Sequence, residues 1–275
     1  MKLFQITMYM LLGIIFFFSH SYHTLAHNFY NNQNSIFFTL IKQFESEDKL
    51  ASDDLSNNRT LAIQHSENAD HLLNQLASLN NQVSNDSNFV NKYNGLFTTL
   101  NTTTKALVVA NLADQSLTHY GIAQGLDPQL ASGLLNMTMN MNTQMNNAPM
   151  MNMTGNISSE KADMMSKMPK TPQSSNRPND SIINQADYET SIMLANTIKM
   201  IFSDNLQNAS LQKSNGLMQL PISLKHESVK KLGQGIDNLI SSLAENRSLP
   251  QVYSIVHGQI HPELFLAFDL KLKSE

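Results

Sequence analysis

Hydrophobic residues recur along this chain at steps of three and four, the period of a helix buried along one side. Phe37, Leu40, Ile41 and Phe44 make one such face, and Ala62, His65, Ala69, Leu72, Leu76 and Leu79 make a second. Ser56-Asn57-Asn58 is a turn signal between them, so residues 36–80 predict two helices. Leu100, Leu107, Ala110 and Leu117 predict one or two more over 88–121, ended by Gly121 and Gly125. Asp127-Pro128 opens a further short helix through Leu135. The pattern then dissolves: from 136 to 180 Asn, Met, Ser, Thr and Pro dominate, which predicts a flexible linker or long exposed loop. Periodicity returns with Ile183, Leu194, Ile198 and Ile201, then with Val229, Leu232, Ile236, Leu239, Ile240 and Leu243. A last helix over 251–270 follows Pro250 and turns Tyr253, Val256, Ile260 and Leu264 inward, with Pro262 kinking or splitting it.

These elements predict an all-α fold, a helical bundle or two packed half-bundles joined by a disordered Met/Asn-rich linker. The expected organisation is a signal peptide over 1–26, an N-terminal helical region over 27–135, the linker over 136–180 and a C-terminal helical region over 181–275. Residues 58–69 and 187–198 both read as a turn opening a helix with small residues inside, in the manner of a tetratricopeptide hairpin. The repeat is too sparse to define a solenoid.

The opening residues change the picture by suggesting an address. Lys2 precedes an apolar run from Ile6 to Phe18, about 13 residues and short of the roughly 20 a membrane span needs. Thr24-Leu25-Ala26 is a small-residue exit, so cleavage after Ala26 is expected, with an uncleaved anchor as the alternative. No later segment is apolar enough to span a bilayer. The expected location is extracytoplasmic, secreted or at the cell surface. Nine Asn-x-Ser/Thr sequons (Asn58, Asn85, Asn101, Asn136, Asn152, Asn156, Asn179, Asn208 and Asn246) would carry glycans in a host that glycosylates exported proteins.

Composition narrows the chemistry. The chain has no cysteine, which excludes disulfides, thiolate metal sites and cysteine nucleophiles. A net charge of −4 with no long basic run argues against a nucleic-acid partner. No GxSxG, Walker loop, GxGxxG, HExxH or Glu-x-x-His pair is present, and nothing argues for an enzyme. Asp53-Asp54 and Glu45 with Glu47 read as solvated helix faces.

Methionine is the unusual residue. Ten of the 16 lie between Met137 and Met168: Met137, Met139, Met141, Met145, Met150, Met151, Met153, Met164, Met165 and Met168. A thioether is a soft, neutral ligand suited to Cu(I), and it needs no deprotonation. The competing reading is low-complexity drift or a Met-rich contact surface. His257 and His261, four apart, share a helix face and could chelate one ion, with Glu263 adding an oxygen. His65 lies on an apolar stripe, as do Asp114 and Asp187. A buried His65–Asp114 or His65–Asp187 hydrogen bond is the plain expectation, a ligand site the sharper one, and Asp187 also suits a helix cap. If cleavage follows Ala26, His27 becomes the N-terminus, and its amine and imidazole together chelate copper as in brace-type sites.

Several short motifs add a resemblance. Residues Leu61 to Ala69, Leu112-Ala113-Asp114 with Tyr120-Gly121, the Met-rich stretch, Asp187-Tyr188-Glu189 and Ile255 to Pro262 resemble exported helical proteins encoded by ammonia-oxidising archaea. The likeness spans most of the chain beyond residue 26. It implies an address and a lineage, names no catalytic residue, and favours copper, on which such organisms rely outside the cytoplasm. The sequence therefore leads to an extracytoplasmic copper-binding, storage or delivery protein that uses Met137, Met139, Met141, Met145, Met150, Met151, Met153, His257 and His261. The alternative is a non-enzymatic structural or interaction module of the cell envelope, with an envelope protein as partner.

Overall fold

The computed structural model describes residues 29–79, 89–133, 182–209, 211 and 220–272. Every regular element among them is helical. In chain order they are α1 (Gln33–Asp54), α2 (Arg59–Leu79), α3 (Phe89–Thr99), α4 (Thr102–Ala123), α5 (Pro128–Gly133), α6 (Gln185–Ile201), α7 (Ile222–Ala244), α8 (Leu249–Ile255) and α9 (His261–Phe268). One π-helical turn, Phe202–Leu206, extends α6, and another, Val256–Ile260, joins α8 to α9. The expected all-α bundle is thus present. The stretch read as a linker, with its methionines, and the leader, with His27, lie outside the described residues.

Asparagine, so frequent here, starts several helices. Asn32, Asn101 and Asn184 are N-caps whose side chains accept the backbone N–H groups of Ser35, Thr104 and Asp187. Each satisfies a donor that a helix leaves without an internal partner. α4 ends in a Schellman turn at Gly125, where φ is +92°: Leu126 N–H donates to Gly121 O and Gly125 N–H to Ile122 O. Gly121, expected to share in ending the helix, is instead buried inside it.

The organising element is α4. Ala106, Val108, Val109, Leu112, Ala113, Leu117 and Tyr120 are all fully buried, so this helix is covered nearly all round. Its small residues allow close approach by α6, where Ser116 Oγ donates to Ser191 O at 2.8 Å. α1, α8 and α9 also pack on it. One hydrophobic core therefore draws side chains from both the N-terminal and C-terminal helical regions, with Ile41 and Leu76 on one side and Leu194, Ile198, Leu232, Ile236 and Leu239 on the other. Removing a leucine such as Leu112 or Leu117 from this core should cost about 2–5 kcal/mol.

Two local features position the chemistry. The segments at the two ends of the described chain meet in one antiparallel bridge between Phe29 and Leu272, with Tyr30 N–H donating to Lys271 O at 2.7 Å. The second feature is the π turn. Pro262 has no N–H, so Gly258 O loses its usual helical donor, and the Pro ring crowds that carbonyl. The backbone widens instead, and His261 N–H reaches Val256 O. Proline alone predicts a kink; the widened turn is its form here. α7 admits it because Gly235 has no Cβ: one built there would stand 3.3 Å from both Gln259 Cβ and Ile260 Cγ1. No helix among the described residues is long and apolar enough to cross a membrane.

Candidate metal centre

The π turn carries His257, and α9 opens with His261. Their rings lie 4.8 Å apart between centroids and nearly perpendicular, at 88°. Asp114 of α4 faces them, with Oδ1 3.3 Å from His261 Nε2. One ligand atom from each of these three residues lies within 4.8 Å of the other two. His261 is fully buried and His257 nearly so, while the Asp114 side chain keeps 19% of its exposure. Phe29 closes the far side, edge-on to His261 at 5.3 Å. Tyr253, one turn before His257, stacks on it at 4.3 Å. Burial and then the Asp114 carboxylate push the Tyr253 phenol above its usual range.

The 3.3 Å separation is informative because it is not a hydrogen bond. Asp114 Oδ1 and both ring nitrogens of His261 are buried without a hydrogen-bond partner among the described residues. Buried polar atoms are nearly always satisfied by protein, ordered water or an ion. Around a tetrahedral ion with bonds of about 2.0–2.1 Å, neighbouring ligand atoms stand about 3.3–3.4 Å apart. The Asp114–His261 spacing is that edge. Glu263, expected to contribute an oxygen, faces α7 instead, against Ser228, Glu227 and Lys231, and burial raises its carboxyl above the usual range.

His65 sits at the middle of a second cluster. It is fully buried, as its place on the stripe implies, but neither expected partner reaches it. Its Nδ1 donates to Glu47 Oε2 at 2.7 Å, and its Nε2 lies 3.4 Å from Glu189 Oε2 and 3.7 Å from Asp54 Oδ2. Asp187 is taken by His119, at 2.6 Å, and by the cap residue Asn184. Asp114 belongs to the other cluster. Glu47 and Asp54 correct the reading of those carboxylates as solvated faces. Glu47 is buried and accepts from Thr190 and Asn68 as well as His65. The signal was available, since Glu47 continues the Leu40–Phe44 stripe by three residues.

Burial pulls the His65 imidazole down, but the hydrogen bonds and charges of Glu47 and Glu189 outweigh it and raise it overall. Asp54 is also raised, first by burial and then by the charge of Glu189. A polar cleft of about 600 Å³ connects the surroundings of the two clusters: Glu47 and Asp114 both line it, with His71 and His119 at its walls. An ion could therefore reach Asp114 from the cleft, ahead of the two buried imidazoles.

The fold and this geometry define a helical bundle with two clusters of imidazole and carboxylate inside it. Comparison with protein-family models, with curated proteins and with solved structures found no match to this chain.

Proposed function

We propose that this protein is an extracytoplasmic metal-binding protein that holds copper at Asp114, His257 and His261 for storage or delivery. The observation that carries the reading is the buried triad itself: among the described residues, Asp114 Oδ1 and the His261 nitrogens have no hydrogen bond, and Asp114 and His261 stand at ligand spacing. Two imidazoles and one carboxylate suit Cu(II) and other borderline divalent ions. The ten methionines between 137 and 168 add the thioether donors that suit Cu(I), which is the reason for choosing copper over zinc. The partly exposed Asp114 would meet the ion first, and neutral His257 and His261 would then bind it. Such binding strengthens as pH rises, because an imidazole must lose its proton to act as ligand.

The test is metal analysis of the purified protein after loading with Cu(II) in air and with Cu(I) without oxygen. Replacing His257 and His261 by alanine should remove the Cu(II) held at this centre, and replacing the ten clustered methionines by leucine should remove most of the Cu(I). A wild-type protein that retains neither ion would overturn the reading and leave the envelope interaction module in its place.

A further inference from the structure

We propose that Asp54, His65 and Glu189 form a second cation site, independent of the first and built for a divalent first-row transition metal. The ligand atoms of these three residues lie within 4.8 Å of one another. They come from three helices, α1, α2 and α6, so the packing of the bundle holds them in place.

Distances separate this reading from a simple buried ion pair. Charge-assisted N–H···O bonds run to about 2.7–2.9 Å. His65 Nδ1 meets Glu47 at 2.7 Å and fits that description. Nε2 makes a long hydrogen bond with Glu189 at 3.4 Å and stands 3.7 Å from Asp54, and both spacings are near the roughly 3.3–3.4 Å edge of a tetrahedral ligand shell. The Nδ1–Glu47 bond also has a recognised purpose at metal sites. A carboxylate on one ring nitrogen fixes the tautomer and turns the other nitrogen's lone pair toward the ion. Glu47 is itself locked by Thr190 at 2.7 Å and Asn68 at 3.3 Å, so the ring cannot swing.

Charge points the same way. Among the described residues, Glu47, Asp54 and Glu189 form ion pairs with His65 alone. Asp54 Oδ2 is buried with no hydrogen-bond partner there. Carboxylate oxygens within 4.8 Å of one another repel. A dication between Asp54 and Glu189 would turn that repulsion into attraction. Gln185 already orients Glu189 from the outside, donating to Oε1 at 2.7 Å, while Oε2 faces His65.

The probe is Zn(II), titrated calorimetrically into the full chain. A variant with His257 and His261 replaced by alanine lacks the first centre and should still bind one ion. Adding Asp54→Asn and Glu189→Gln, which remove charge with almost no change of volume, should weaken that binding by at least about 100-fold. Glu47→Gln should weaken it by about 10–100-fold through the ring's orientation. In wild-type protein, 15N spectra should show His65 Nε2 losing its proton as zinc saturates. A His257/His261 variant that binds no zinc, an affinity unmoved by the carboxylate substitutions, or a His65 ring that keeps both protons at saturating zinc would each overturn the proposal. Zinc binding unchanged by loss of His257 and His261 would count against the first centre alone, so the two failures are distinguishable.

Discussion

At His65 one imidazole is ringed by three carboxylates, whereas at His261 two imidazoles share one. The first ring is tied by a short hydrogen bond, and the second makes none among the described residues. Both rings are fully buried, so the difference lies in their partners and not in their depth. A carboxylate-rich site is harder and more negative, and an imidazole-rich site softer and closer to neutral. The two clusters should therefore prefer different ions and respond differently to mutation and to pH.

Replacing each ring by leucine should give the largest contrast. His65→Leu strands Glu47 in the interior with its charge uncompensated, a loss of about 3–5 kcal/mol. His261→Leu removes nitrogens that have no hydrogen bond among the described residues and should cost less than about 1.5 kcal/mol in the metal-free protein. Urea unfolding of the two variants checks this, and equal losses would erase the distinction between the sites.

pH comes next. His65 binds its proton more tightly folded than unfolded, so its contribution is fully present below the unfolded pKa, about 6.5, and is lost as pH rises through the raised folded value. Asp54 and Glu263 are raised as well, so each binds a proton more tightly when folded and weakens the fold as it ionises above its unfolded value of about 4. All three have the same sign. The metal-free protein should lose thermal stability as pH rises above about 4, and further above about 6.5, and bound metal should flatten or reverse that slope. Thermal scans with and without chelator measure both curves.

Asp54→Asn isolates one part of that effect. It removes the repulsion with Glu189 and should raise metal-free stability at neutral pH by at most about 1 kcal/mol, since the group is partly solvated. In the presence of zinc the order should invert, with wild type the more stable. The smallest effect is expected at Gly235. Alanine there gains helix propensity but presses on Gln259 and Ile260, so net stability should move by no more than about 1 kcal/mol. Because the contact is with the π turn, copper affinity should fall even where stability does not.

Much of this arrangement was legible in the chain. The steps of three and four located the helices, the turn at 56–58 and the break at Pro262, and they put His65 inside. They also put Asp114 on an inward face and His257 and His261 on one face of their helix. The pairing between them was not legible, because Asp114 and His261 meet only through the way α9 docks on α4, and periodicity within one helix carries no information about its neighbour. The stripe on α4 was read too narrowly, since Ala106 and Ala113 look neutral in sequence and turn out fully buried. Glu47 was misread for a chemical reason: a carboxylate suggests solvent, although its position on the stripe pointed inward. Gly235 gave no signal, because its role depends on a backbone that approaches from another part of the chain.

The most direct measurement is electron paramagnetic resonance of the protein loaded with one equivalent of Cu(II). Superhyperfine coupling to two imidazole nitrogens is expected, and this two-nitrogen signal should be lost in the His257→Ala/His261→Ala double variant, where any coupling left is to the single nitrogen of His65. A spectrum with no imidazole coupling, or one unchanged when both histidines are removed, would contradict that expectation.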